Sequence, residues 1–472
     1  MTHDAVIVLD CGATNVRAIA VDVKGTVLAK ASQPNITVPA EENPDWHQWP
    51  VEGIFEKFSD CCRQIMKDIS PERIKGVTVT TFGVDGALID RQGNPIYPVI
   101  SWKCPRTNDS LQHLKQYLDP DKVVTESGVG HFAFNTLNKL IWFKENRPEL
   151  LADAHGWLFI SSLFNHKLTG RLTTDATMAG TAQLTDLKSQ TFNTRILSAI
   201  GIESDFFPEM VQAGEMIGHL LPEAAAKLGL PAGILVISSG HDTQFAVFGS
   251  GAEKGQPVLS SGTWEILMVR SSEISGLAPD MFDNGFTCEW DSHKNHYNPG
   301  IQWLASGVLE WVGRQFYPDV TGSEKYKKMI SEASAVPEKS HGITFNPTFL
   351  PDGNGRTHGA ISGLSLNTER GAIYRSALEA LSKKLKSSLH QLEQIGQFSA
   401  SEIILVGGGS KNPLWNQIKA DTLQLPIKIL KESETTVLGA SMFAMSGAGL
   451  YDSPEAARVA FDIQYETIQP NV

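Results

Sequence analysis

Two turns, set about half a chain apart, constrain this fold more than any other feature. The first lies in "VLDCGATNVRAIAV", from Val8, where a short polar turn containing glycine links an apolar run at 6–9 to another at 16–21. The second lies in "QPVLSSGTWEILMVRS", from Gln256, and repeats the order strand, Gly-Thr turn, strand. Both are hairpin patterns, and the recurrence predicts two halves that begin alike. The first turn carries more than turn chemistry. It offers the carboxylate of Asp10, backbone amides near Gly12, the side chains of Thr14 and Asn15, and the cation Arg17. Amides and a cation on a tight turn suit a phosphate. A carboxylate beside them suits the metal that travels with a phosphate. The same residues also make an ordinary hairpin, and by themselves they leave the two readings level.

A chain of 472 residues exceeds one ordinary core, so two domains are expected. The boundary falls in "VFGSGAEKGQPV", between residues 245 and 257, giving a first domain 1–248 and a second 249–472. Apolar residues at 41% and charged residues at 19% describe a soluble globular chain. No apolar run approaches the ~18 residues of a membrane span. A strand within the first ten residues, in place of a charged stretch followed by an apolar signal segment, predicts a cytoplasmic chain. Cys11, Cys61, Cys62, Cys104 and Cys288 form neither a metal spacing nor a disulfide framework, which fits a reducing compartment. The net charge of −12 argues against a nucleic-acid partner and leaves room for a local cationic pocket.

Three strands are predicted at 5–10, 16–21 and 26–31, then a helix at 51–67 and two strands around the Gly-Asp-Gly turn of "FGVDGAL". Residues 107–225 read as mainly helical. "PAGILVISSGHDTQFAVFG" reads as strand, glycine turn and helix, with Asp242 at the start of that helix. A third glycine turn comes late, in "EIILVGGGSKNPLWNQIKADTL". Asn412 is the predicted N-cap there and Pro413 the first helical residue. The Gly-Lys-Ser/Thr nucleotide loop does not occur, and "GGGSKN" fails G-x-G-x-x-G at Asn412, although three glycines still let a ligand approach the backbone. H-E-x-x-H, paired C-x-x-C and G-x-S-x-G are also absent from the sequence, so zinc hydrolysis and serine esterase chemistry have no support.

Asp10, Gly12, Thr14 and Arg17 match the D-x-G-x-T-x-x-R phosphate turn of the sugar-kinase, actin and heat-shock-chaperone superfamily. Within it the chain resembles the FGGY carbohydrate kinases. "FNTLNKLIWFKEN" at 134–146 fits that family's first signature, and "GAISGLSLNTERGAIYRSALE" at 359–379 is close to its second, departing at Ala372. "SWKCPRT" at 101–107 places Cys104 where many relatives carry an acid. The resemblance implies an α/β, two-lobed ribonuclease H-like (actin-like ATPase) fold. Each lobe would hold a mixed five-stranded sheet flanked by helices, with a catalytic cleft between, the first lobe mainly for sugar and the second mainly for ATP. It implies an ATP- and Mg²⁺-dependent kinase acting on a small sugar, L-fuculose or a related ketose or polyol. A non-catalytic nucleotide-dependent sensor is the rival on the same fold.

The roles implied are these. Asp242 is the general base. Asp85, Arg106, Trp102 and His131 hold the sugar, although Asp85 also suits a plain Asp-Gly turn and His131 a satisfied imidazole. Thr14, Asn15 and Arg17 meet the β- and γ-phosphates from one side, and Gly262 and Thr263 from the other. Gly300 and Gln302 line the nucleotide site, and Gly408, Gly409 and Asn412 contact adenosine. Asp10 holds Mg²⁺ through water. Trp303 is read as core packing.

Overall fold

The computed structural model describes residues 3–351, 356–431 and 434–471. The chain forms two compact units. One comprises Met1–Gly251, Leu277–Asn298 and Glu434–Ile463, the other Ala252–Gly276, Pro299–Ser433 and Gln464–Val472. A single cut near residue 248 is expected from composition, whereas in space the chain returns twice to the first unit. Helix Thr435–Gly447 shows why. It is apolar on nearly every face, and its Val437, Leu438, Met442 and Phe443 complete a core with Val6, Val8, Ile19, Phe245 and Phe248. A helix without a polar face must be buried, and this one is covered by a sheet assembled from the start of the chain.

The first unit is built on six strands: β1 (Ala5–Cys11), β2 (Asn15–Asp22), β3 (Val27–Pro34), β4 (Ile74–Thr81), β5 (Met216–His219) and β6 (Leu235–His241), in the order β5-β6-β4-β1-β2-β3. β1 is buried along its whole length, as a central strand covered on both faces must be. It pairs antiparallel with β2 and parallel with β4, which pairs parallel with β6. In the β1–β2 register Asp10 stands opposite Arg17, so the side chains of the two residues point to the same side.

The second unit repeats the plan with β7 (Val258–Ser261), β8 (Trp264–Met268), β9 (Tyr297–Leu304), β10 (Ile403–Val406), β11 (Ile427–Leu430) and β12 (Tyr465–Ile468). Their order is β9-β8-β7-β10-β11-β12. β7 pairs antiparallel with β8 and parallel with β10, and β10 parallel with β11. The expected five-stranded frame is thus present in both sheets, each extended at one edge by an antiparallel strand, β5 or β12, and the second sheet has a seventh strand, Phe286–Trp290, next to β9.

Two local expectations change. Residues 74–81 and 86–89 do not form a hairpin: strand Gly86–Ile89 pairs with Gly156–Phe159. The chain leaves the first sheet at Phe82–Asp85, where Val84 has φ +63°, a costly conformation for a β-branched residue. The stretch expected to be helical also contains β5, a half-exposed edge strand too short to register as an apolar run.

Candidate active site

In the second unit a cleft of about 470 Å³ is lined by Gly262, Thr263, Tyr326, Tyr374, Gly408, Gly409 and Asn412, among others. Glycine is required along part of this wall. A Cβ on Gly409 would overlap Ser261 Oγ, and one on Gly407, whose φ is +90°, would come within 2.6 Å of the Ser261 carbonyl. Gly408 has open space on its side-chain face, so its backbone is bare. Asn412 caps helix Pro413–Leu423, accepting from the Trp415 amide at 3.1 Å, and its own amide donates to Tyr374 Oη at 3.0 Å. The Gly262–Thr263 turn is tied down by the start of helix Ser306–Phe316. The Ala305 and Gly307 amides donate to the Thr263 carbonyl at 3.0 and 3.2 Å, and the Ser306 amide to that of Gly262. Bare backbone and aromatic walls suit a flat heteroaromatic ligand.

Gly300 and Gln302 lie outside this lining. Both belong to β9, with Gln302 opposite Ile266 on β8, and a Cβ on Gly300 would meet Met268 Cγ at 2.9 Å. Strand packing accounts for that glycine. Trp303 is buried, as its core reading requires.

In the first unit Asp85 and Lys139 form an ion pair at 2.5 Å in which neither side chain has exposed surface. Asp85 Oδ2 also accepts from Trp49 Nε1 at 2.6 Å and from the Trp102 amide at 3.0 Å. Lys139 Nζ donates further to the carbonyls of Val84 and Phe134 at 3.0 and 2.8 Å, and Thr136 Oγ1 donates to that of Val84 at 2.8 Å. These bonds hold Val84 in its unfavourable conformation. Burial pushes the Asp85 carboxyl up and the Lys139 ammonium down, each opposed by the charge of the other.

Asp85 therefore meets protein donors, not a surface. Through the Trp102 amide it fixes the 101–107 loop. The indole Nε1 of Trp102 is buried without a partner among the described residues. Arg106 is also turned inward, with 6% exposure. Its Nε donates to Cys104 Sγ at 3.1 Å and its Nη1 to Tyr97 Oη at 3.0 Å, while the guanidinium lies 4.3 Å from the Trp46 ring centre and 5.1 Å from that of Trp142. It is the cation of an aromatic cage, and Cys104 serves it as an acceptor. His131 is satisfied on both nitrogens, by the Pro120 carbonyl and the Gln183 amide, each at 3.1 Å. Ala372 packs with Val336 and Ile343, an apolar setting that accounts for its departure from a polar signature position.

The first hairpin turn is closed by the Gly12 amide donating to the Asn15 carbonyl at 2.9 Å, and Thr14 and Asn15 are exposed on it. Arg17 does not point to open solvent. Its Nε and Nη2 fork onto Asp10 Oδ2 at 2.8 and 2.5 Å, and its Nη1 reaches Glu434 at 2.6 Å. Burial pushes the Asp10 carboxyl up to about 6 against the pull of Arg17, with the charges of Asp242 and Glu434 adding to the rise. Asp242 opens helix Asp242–Gly249 and keeps part of its side chain exposed. Burial raises its pKa, the neighbouring His241 opposes the rise, and Glu289 adds to it. Glycine fixes this helix too: a side chain on Gly249 or Gly439 would overlap the backbone of the helix it crosses.

The amino-terminal model of the FGGY family of carbohydrate kinases matches residues 5–249, and the carboxy-terminal model residues 258–448. The chain belongs to the FGGY family of carbohydrate kinases. An L-fuculokinase of Escherichia coli K12 is 52% identical over 470 residues, covering 100% of this chain and 98% of that one. An L-fuculokinase of Haemophilus influenzae is 44% identical, with 98% and 99% covered. Among solved structures, a xylulose kinase from Rhodospirillum rubrum superposes with a TM-score of 0.89 at 23% identity, covering 99% of this chain and 94% of that one. Plasmodium falciparum glycerol kinase with ADP gives 0.86 at 17% identity, covering 99% and 94%. These two likenesses show the two-domain FGGY fold. Among the described residues no helix is long and apolar enough to cross a membrane.

Sequence reasoning missed four residues that the geometry brings forward: Lys139, Tyr374, His241 and Glu289. The first two stand inside the signature motifs and the third beside Asp242, so position alone marked them. Glu289 lies in a strand, Phe286–Trp290, with no motif around it.

Proposed function

We propose that this FGGY kinase transfers the γ-phosphoryl group of ATP to L-fuculose, giving ADP and L-fuculose 1-phosphate. The full-length identity to L-fuculokinases supports the choice of sugar. The chemistry rests on one observation: a carboxylate, Asp242, at the head of a helix, whose proton affinity is raised by burial. A sugar hydroxyl is a weak nucleophile until its proton has a destination, and a base whose pKa lies closer to neutrality accepts that proton more effectively. Asp242 takes it from the C1 hydroxyl as the oxygen–phosphorus bond forms.

The remaining roles follow from placement. Gly408, Gly409 and Asn412 take the adenosine, and Gly262 and Thr263 the phosphates, all within the second-unit cleft. Thr14 and Asn15 offer further phosphate donors, and Arg17 holds Asp10 and Glu434 in place. Trp102 offers its unpartnered indole to the sugar, with Asp85 and Arg106 supporting its loop from behind. The residues around Asp10 fit a magnesium ion. Asp10 and Glu434 bring more negative charge than Arg17 cancels, and Asp10 Oδ1 accepts no hydrogen bond among the described residues. Such an ion keeps several waters, so Asp10 would hold it through water, and the bound ion would neutralise phosphate charge. Five buried thiols, all free, favour a reducing cytoplasm.

The test is product analysis. Incubation with MgATP and L-fuculose should release ADP in step with sugar consumption, and phosphorus NMR should find the new ester on C1. ADP release that L-fuculose does not stimulate would refute the proposal.

A further inference from the structure

We infer that Glu289 and His241 form a positioning pair for the proposed base, the imidazole being held by Glu289 on one nitrogen and holding the Asp242 carboxylate aimed and ionised with the other. The inference rests on the reading of Asp242 as the base. His241 ends β6 and is almost wholly buried. Its Nδ1 lies 3.4 Å from Glu289 Oε2, and its Nε2 3.5 Å from Asp242 Oδ1.

Each member is fixed from outside. Thr181 Oγ1 donates to Glu289 Oε1 at 3.0 Å, and Gln244 Nε2 to Oε2 at 2.5 Å. The His241 amide donates to Thr177 Oγ1 at 3.0 Å. The slot for the ring is left by Gly83, where a Cβ would meet His241 Nε2 at 2.9 Å. An imidazole clamped between two carboxylates, with a glycine cleared for it, is more than packing requires.

The charges around it agree. Asp242 and Glu289 act on the ring, Asp175 lies behind the neighbouring Gly240, and Asp10 and Asp242 act on each other. Asp175 is engaged by Ser162 and Ser238, and Arg17 is committed to Asp10 and Glu434. Burial works against an imidazolium, but Glu289 and Asp242 outweigh it and hold His241 above its ordinary range. The imidazolium donates from Nδ1 to Glu289 and from Nε2 to Asp242 Oδ1. That leaves Oδ2 to receive the sugar proton. No proton passes to His241. Its charge keeps Asp242 ionised until the transfer occurs.

The experiment compares wild type, Glu289→Gln, His241→Gln, the double variant and Asp242→Asn, each with MgATP and L-fuculose across pH. Without the imidazolium, or without the carboxylate that sustains it, Asp242 ionises at higher pH. The acid limb of the kcat profile should move up by about one pH unit in His241→Gln and by less in Glu289→Gln, because losing Glu289 also removes a charge that raises Asp242. The sugar KM should change less than about threefold. The double variant should shift no further than His241→Gln alone, because Glu289 acts through His241. Glu289→Asp should restore part of the wild-type profile. An unmoved acid limb, additive shifts, or a raised sugar KM at unchanged kcat would overturn the inference, the last by making the pair a sugar contact. Asp242→Asn separates the two readings: if it retains wild-type turnover, the base assignment itself has failed.

Discussion

Replacing Lys139 by methionine removes a cation from a place where nothing else can supply one. Lys139 Nζ lies 2.5 Å from Asp85 Oδ1, and both side chains have no exposed surface. The ammonium also satisfies the carbonyls of Val84 and Phe134. Methionine is similar in length and leaves no large cavity, so the loss is electrostatic. A buried carboxylate deprived of its partner typically costs about 3–5 kcal/mol, a large part of the roughly 5–15 kcal/mol that holds a protein folded. Asp85 retains the Trp49 and Trp102 donors, which places the expected loss at the lower end, about 3 kcal/mol. Urea unfolding followed by tryptophan fluorescence measures it. Lys139→Met combined with Asp85→Asn should recover about 2 kcal/mol of that loss, because no charge is then stranded. The deficit also depends on pH. The folded-state pKa of Asp85 is already raised by burial, and losing Lys139 raises it further. A group with a raised folded-state pKa contributes most to stability below its unfolded value and loses that contribution as pH rises. The deficit of the methionine variant is therefore full in mildly alkaline buffer and shrinks as pH falls through the raised value. A deficit below about 1 kcal/mol, or a double variant no more stable than the single one, would refute the reasoning.

Asp242→Asn should fold and bind both substrates but lose roughly 10²–10⁴-fold in kcat, with the sugar KM little changed, as steady-state kinetics will show. Gly409→Ala should raise the ATP KM at constant sugar affinity, because the added methyl overlaps Ser261 Oγ, while Gly408→Ala meets open space and should preserve folding stability. Arg17→Ala should weaken MgATP use and spare sugar binding, since it frees Asp10 and Glu434 without touching Asp85; calorimetry with sugar alone checks this.

The repeated hairpin, the late glycine turn and the Asn412 cap were legible because each is local: composition over a few residues decides them. The first hairpin turn was legible for the same reason, but the destination of Arg17 was not, because Glu434 comes from the far end of the chain. Asp85 and Arg106 were read from their motifs as sugar contacts, whereas tertiary packing directs their side chains toward Lys139 and the Trp46–Trp142 cage. Gly300 shows the opposite ambiguity: a glycine that clears room for a neighbouring side chain reads the same as one that clears room for a ligand. The interleaved partition was hidden because helix Thr435–Gly447 is apolar on nearly all sides, which demands burial without saying where.

The most direct measurement is the specificity constant across a panel of sugars. With MgATP saturating, kcat/KM for L-fuculose should exceed that for L-rhamnulose, D-xylulose, D-ribulose and glycerol, with some turnover of D-ribulose where the hydroxyl pattern is shared. A clear preference for D-xylulose or glycerol would contradict the assignment.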